Sequence, residues 1–290
     1  MYKIAILGCE NTHANSFLGL IKNDPRFSDV EVIGVYTDEP EAAAKIKDTY
    51  GVECAESYDA FVGKVDGIVI TARHGANHYK YAKPYISSGI PMYIDKPFCC
   101  DEEEALKFAK ELKANGCKIT GGSMCIHAHY VKNLKMAIQS GTYGKVLGGT
   151  VRTPVHLESQ YGGFFFYAQH LGQIVQEIFG YYPKSVTAHR INKVVNVTVR
   201  YDDFDVFGQY VDGQYTYYAS ISCEKDVIGD TFPLTSDLAG VEFMSFYKIL
   251  KGGEQETSYR DLIAPVYLIT ALNRAIESGK EEPVLPVGEV

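Results

Sequence analysis

Five apolar runs of strand length recur between Tyr2 and Gly122, and helical patterns separate them. The runs are "YKIAILG", "VEVIGVYT", "VDGIVITA", "GIPMYIDKP" and "CKITGG". Between them lie "NSFLGLIKN", "PEAAAKIKDTY", "NHYKYAKPYISSG" and "DEEEALKFAKELKANG". The last of these opens on acidic residues, which suit a helix N-terminus, and closes on Asn-Gly, which suits a C-terminus. Strand and helix alternating at this spacing build βαβ units with right-handed crossovers. The spacing therefore predicts an α/β domain on a parallel sheet.

Beyond residue 121 the pattern changes. A helix over "AHYVKNLKMAIQSG" leads through "GTYGKV" to a strand, "LGGTVRTPVHLE", and a helix, "FYAQHLGQIVQEIFG". Strand patterns follow: "KSVTAHRI", "NVTVRYDD", "DVFGQYVDG", "QYTYYASISCE" and "GVEFMSFYKIL". Asp-Gly inside "VDGQYTYY" predicts a hairpin there. The expectation is an α+β domain with a mostly antiparallel open sheet. Two domains follow, 1–121 and 122–290, with a final helix over 259–278 packing back toward the first.

Composition removes several function classes. At 46% hydrophobic residues the chain can bury full cores. A net charge of −8 with scattered Lys and Arg argues against a nucleic-acid partner. No apolar run reaches the ~18 residues of a membrane span. Seven cysteines, an odd number without a C-x-x-C pair, and an N-terminus without a signal-peptide pattern point to the cytoplasm.

The first strand runs into "ILGCENTHANSF", a strand, a Gly turn and a helix, which is how a dinucleotide-binding domain begins. Gly8 supplies the tight turn, and Asn11 or Thr12 can cap the helix, whose first N–H groups suit an anion. The usual G-x-G-x-x-G is altered: Glu10 and His13 stand where the second and third glycines belong. If Glu10 points outward and His13 donates to a phosphate, binding survives; if Glu10 points inward, it repels. The acid that takes the ribose hydroxyls should end the second strand. Thr37 holds that place, with Asp38 one step on. Asp38 turned inward favours NAD, whereas Thr37 turned inward permits NADP. In "TARH", Ala72, Arg73 and His74 reach the crevice mouth. "MYIDKPF" puts Asp95 and Lys96 at the end of the fifth parallel strand, where open α/β sheets bind ligands. A lysine there can polarise a substrate oxygen.

These stretches together resemble the family of glucose–fructose oxidoreductase, inositol dehydrogenase and MocA (Gfo/Idh/MocA). "DKP" resembles its E-K-P motif, "VDGIVITARHGANH" its fourth strand and turn with His78 at the usual His, and "IQSGTYGKV" its crossover. The family's D-x-G-x-H is similar to Phe166-Tyr167-Ala168-Gln169-His170, with the Asp and Gly replaced. The resemblance implies a dehydrogenase using NAD or NADP on a sugar, polyol or related small hydroxy or keto compound. It implies Lys96 and His170 as the catalytic pair, and Tyr167, Gln169 and His170 facing the substrate. It also implies a homodimer or homotetramer built through the second sheet. Imidazole, with a pKa near ~6.5, suits the proton that hydride removal leaves behind. The alternative is a non-catalytic sensor or assembly subunit that has lost hydride transfer. "CIHAHY" holds an H-x-H pair, but at the start of a helix its two imidazoles do not share a face, so no metal is expected.

Overall fold

A computed structural model describes all 290 residues. Five parallel strands, β1 (Tyr2–Leu7), β2 (Val30–Tyr36), β3 (Gly67–Ile70), β4 (Met92–Asp95) and β5 (Ile119–Gly122), stand in the order β2-β1-β3-β4-β5. Four helices connect or flank them: α1 (Thr12–Asn23), α2 (Pro40–Tyr50), α3 (Ala76–Ile86) and α4 (Glu102–Ala114). β3 and β4 carry four buried residues out of four, the continuous apolar run that a sheet covered on both faces requires. The DKP strand is the fourth parallel strand, not the fifth, because the chain contains no further strand ahead of it.

A short 3-10 turn (Met124–His127) and α5 (His129–Gln139) lead to the second sheet. Its strands are β6 (Val146–Val155), β7 (Ser185–Ile191), β8 (Val194–Arg200), β9 (Asp205–Asp212), β10 (Tyr217–Cys223), β11 (Val227–Phe232) and the two-residue β12 (Glu282–Pro283). They stand in the order β11-β10-β6-β9-β8-β7-β12, and only β6 and β9 pair in parallel. α6 (Phe165–Phe179), between β6 and β7, and α8 (Tyr259–Ser278) cover its inner face.

Two sequence expectations fail here. "VDGQYTYY" is no hairpin: β6 lies between β9 and β10, so Asp212-Gly213 begins a connection that passes over it. The hairpins are β7–β8, turning at Asn192 with φ 54°, β8–β9 and β10–β11; β11 had no clear period. "GVEFMSFYKIL" belongs to a helix, α7 (Leu238–Leu250). Its aromatic and branched residues suggest a strand, but Ala239, Phe243, Phe246 and Leu250 recur at helical spacing. That face packs on β1 and α1, against Ile4, Ile6 and Phe17.

α8 spans both bodies. Its first half joins Ile263, Ala264 and Val266 to the first sheet's core, and its second half joins Leu268, Leu272 and Ala275 to the second. The two sheets are thus held by shared apolar packing rather than by a linker. No helix is long and apolar enough to cross a membrane.

Candidate active site

The site lies where the carboxyl ends of β1, β3 and β4 meet the start of α6. Gly8 makes the first turn at φ +88°, and a Cβ there would lie 2.1 Å from the backbone N of Ala72. Only glycine permits that approach. The Thr71 hydroxyl donates to the Gly8 carbonyl at 3.0 Å and locks the ends of β1 and β3 together. The next turn opens α1, with Asn11 as N-cap: its side-chain oxygen accepts from the His13 N–H.

Asp95 organises this corner. It is fully buried, and its carboxylate accepts from Asn11 Nδ2 at 3.0 Å and from the Lys96 N–H at 2.7 Å, with His13 Nδ1 at 2.9 Å. Burial alone would raise its pKa, but the His13 charge and hydrogen bond hold it below the usual carboxylate value. Burial would likewise depress His13, yet the Asp95 carboxylate lifts it to about 9. His13 and Asp95 are therefore a buried ion pair that ties α1 to β4. This corrects two expectations: His13 spends its inward nitrogen on Asp95 rather than on a phosphate, and Asp95 holds protein groups rather than cofactor.

Lys96 follows, with a cis peptide bond to Pro97. It is 5% exposed, and its ammonium lies over the rings of Phe166 (4.8 Å) and Tyr167 (5.4 Å) and 3.4 Å from the Phe166 carbonyl. Phe166 occupies the place of the motif's missing carboxylate. A π face stands against the ammonium where the motif has an acid.

His170 comes from α6. It is 4% exposed, and its Nδ1 meets the Ser123 hydroxyl at 2.7 Å and Cys125 Sγ at 3.3 Å. Burial, then the nearby Lys96 charge, pushes its pKa well below 6.5, so the ring is neutral. Ser123 is anchored in turn by its N–H, which donates to Gln173 Oε1 at 2.7 Å. The crossover from the first sheet thus orients the imidazole. Tyr167 packs edge-on against it, with ring centroids 4.5 Å apart.

Lys96 and His170 line one cavity of about 510 Å³, which runs from Asn11, Thr12 and His13 to Tyr167. Arg73 borders it too, and its guanidinium donates to the Tyr161 hydroxyl at 2.8 Å. That hydroxyl also lies 3.2 Å from Glu39 Oε1. Tyr161 belongs to the segment after β6, so the second domain straps across the crevice mouth.

Several expected contacts are absent. Gln169 is fully buried with both amide atoms unpartnered and does not border the cavity; the helix turn that presents His170 points it into the core. His78 is fully buried and bonds the Ala72 carbonyl at 2.8 Å, so it braces the loop after β3. Ala72 itself is buried beneath Gly8. His74 accepts from the Ala76 N–H at 3.3 Å in the turn that leads into α3. Asp38 faces away from the crevice onto the hydroxyls of Tyr36 and Tyr81. Thr37 faces inward, and its hydroxyl donates to Glu10 at 2.8 Å. Glu10 also points inward, the orientation expected to repel a pyrophosphate, but it accepts from the Arg73 N–H at 2.9 Å as well as from Thr37, which draws its carboxylate toward the ends of β2 and β3.

Other features of the site escaped the sequence reading. Tyr161, Ser123, Tyr217 and the His156–Tyr215 hydrogen bond (2.8 Å) all belong to it. Glu242 of α7, also unforeseen, is 2% exposed and borders the His13–Asp95 pair. The only signal for the tyrosines among them was the chain's richness in Tyr. No group of three His, Cys, Asp or Glu side chains that could hold a metal comes together.

Residues 2–123 match the family described as an oxidoreductase family with an NAD-binding Rossmann fold (GFO_IDH_MocA). No curated protein matches the chain by sequence. Among solved structures, a scyllo-inositol dehydrogenase from Lactobacillus casei with bound NAD(H) and scyllo-inositol aligns at 14% identity and a TM-score of 0.84. It covers 98% of this chain and 99% of its own. The WlbA dehydrogenase from Chromobacterium violaceum, in complex with NADH and UDP-GlcNAcA, aligns at 16% identity and a TM-score of 0.82. It covers 99% of this chain and 97% of its own. At these identities the likeness is one of fold, extending over the second sheet as well as the first. The first domain thus matches the NAD-binding domain of that oxidoreductase family, and the whole chain shares the fold of these two dehydrogenases.

Proposed function

We propose that the chain is an NAD(P)-dependent oxidoreductase acting on a CH–OH group of a sugar, polyol or related small hydroxy or keto compound. The observation that carries this is the convergence of Lys96, from the first sheet, and His170, from the second domain, on one cavity that begins at the α1 N-terminus. The residues fit a dinucleotide: the Gly8 turn is tight, and the first turn of α1 opens on the cavity. Gly8, Asn11, Thr12 and Arg73 would hold the dinucleotide. A nicotinamide bound there would supply the hydride acceptor or donor for the carbinol carbon.

The chain's own groups handle the oxygen and its proton. The Lys96 side-chain nitrogen, free of a carboxylate partner, faces the substrate oxygen and stabilises negative charge there. His170, neutral and oriented through Nδ1, presents Nε2 to accept that oxygen's proton in oxidation and to return it in reduction. A weakly basic imidazole suffices, because a hydroxyl becomes strongly acidic as its carbon loses hydride. The aromatic faces of Phe166 and Tyr167, with the hydroxyls of Tyr161, Tyr215 and Tyr217, suit the C–H faces and hydroxyls of a polyol ring. That scyllo-inositol and UDP-GlcNAcA are bound by the two similar structures supports this class.

In this reading residues 1–121 hold the cofactor and 122–290 hold the substrate. The outer face of the second sheet, rows of threonine around the 58% exposed Phe207, pairs copies into a homodimer or homotetramer. The test is incubation with NAD and with NADP across a panel of inositols, sugars and their acids, followed by nicotinamide absorbance. Reduction with any member supports the proposal. No reduction, together with no shift in melting temperature by either dinucleotide, favours the non-catalytic alternative.

A further inference from the structure

We infer that Glu10 supplies the carboxylate that receives the adenosine ribose hydroxyls of the dinucleotide, a duty moved from the end of β2 to the turn after β1. The inference rests on the cofactor reading above. A dinucleotide-binding crevice ordinarily places an acid at the end of its second strand to take the ribose 2′-hydroxyl. Here Thr37 stands there, buried and inward, and cannot serve as a charge. Its hydroxyl instead donates to Glu10 Oε2 at 2.8 Å, while the Arg73 N–H donates to Glu10 Oε1 at 2.9 Å. The carboxylate is thus pinned between the ends of β1, β2 and β3. Each oxygen accepts one protein hydrogen bond and keeps a lone pair for a ribose hydroxyl.

The other nearby groups cannot take its place. Asp38 is committed to Tyr36 and Tyr81, and it faces their side of the strand. Glu39 lies at the start of α2 and meets Tyr161 and, at 3.9 Å, Arg73. The Arg73 guanidinium, which could otherwise meet a 2′-phosphate, is already shared between Tyr161 and Glu39, and the nearby Lys80 ammonium lies over the Tyr58 and Tyr81 rings beside Asp38. With Glu10, Asp38 and Glu39 around it, a 2′-phosphate meets negative charge and no free arginine. Thr37 turned inward would by itself permit NADP; the Glu10 carboxylate beside it selects NAD.

The experiment is calorimetric titration of the native chain, Glu10→Gln and Glu10→Gly with NADH and with NADPH, which needs no turnover. The native chain binds NADH at least tenfold more tightly than NADPH, since a hydrogen bond to a charged group is worth about one to two powers of ten. Glu10→Gln weakens NADH, strengthens NADPH and lowers their ratio by roughly tenfold or more. Thr37→Val, which removes only the hydroxyl that aims the carboxylate, lowers the ratio in the same direction by less. It serves if the Glu10 variants fail to fold. An unchanged ratio in Glu10→Gln or Thr37→Val overturns the inference. So does tighter NADH binding by Glu10→Gly, which would identify the carboxylate as an obstruction. Failure of the native chain to bind either dinucleotide instead removes the cofactor reading, and this inference with it.

Discussion

Glu242 is the most exacting test of the buried electrostatics behind the site. It projects from α7 into the wall behind α1, 2% exposed, and neither oxygen makes a well-formed hydrogen bond. Burial, opposed only in part by the His13 charge, lifts its carboxyl from 4.5 to about 8. Its charged and titratable neighbours are His13 on α1, Tyr93 and Asp95 on β4, and Lys96. Below pH 4.5 the group is neutral folded or unfolded and costs nothing. As pH rises toward 8 the unfolded chain releases the proton and the folded chain keeps it, so the fold loses stability. At ~1.4 kcal/mol per pH unit between the two values, the loss at pH 9 is on the order of 5 kcal/mol.

His13 acts with the same sign. Its folded pKa of about 9 exceeds the ordinary 6.5, so its pairing with Asp95 stabilises fully below pH 6.5 and fades as pH rises through 9. The native Tm should fall steadily between pH 6 and 9. Glu242→Gln keeps the shape and removes one titration. It should match the native Tm within a few degrees at pH 5 and exceed it by roughly 10 °C at pH 9. Scanning calorimetry across that range decides. A Gln variant less stable than native at pH 9 would refute the reasoning, because it would mean that Glu242 is ionised and paired in the fold.

Two further outcomes follow from the same geometry. Burial and Lys96 hold the His170 pKa well below 6.5, and oxidation needs the neutral ring. The acid limb of kcat/KM for alcohol oxidation should therefore lie below pH 6.5, and His170→Asn should abolish it along with most of the rate; a limb at or above 6.5 in the native enzyme would contradict the assignment. Gly8→Ala puts a methyl 2.1 Å from the Ala72 nitrogen at φ +88°, and should cost about 3 kcal/mol in urea unfolding; a loss below ~1 kcal/mol would show that the turn relaxes freely.

The parallel sheet was legible because each buried strand is a short apolar run bounded by turn residues and followed by a helical period. The second domain was legible in most strands but not in its connections. Asp212-Gly213 has hairpin chemistry, yet register depends on which strand lies next, and β6 intervenes. α7 was misread because Phe243, Phe246 and Tyr247 have strand-like character, whereas their helical spacing decides the matter. Within the site, Lys96 and His170 are marked by motif. The exchange between Glu10 and Thr37 is not, since it depends on a side chain reaching across 27 residues of sequence. His13 and Asp95 likewise look like cofactor ligands until burial pairs them. Phe166 reads as a lost carboxylate, but its ring lies 4.8 Å from the lysine's ammonium.

The most direct measurement is turnover of Lys96→Ala beside its affinity for NADH. The account predicts nicotinamide reduction slowed by at least ~10²-fold while NADH binds and the chain melts much as the native protein does. Undiminished turnover in that variant would contradict it.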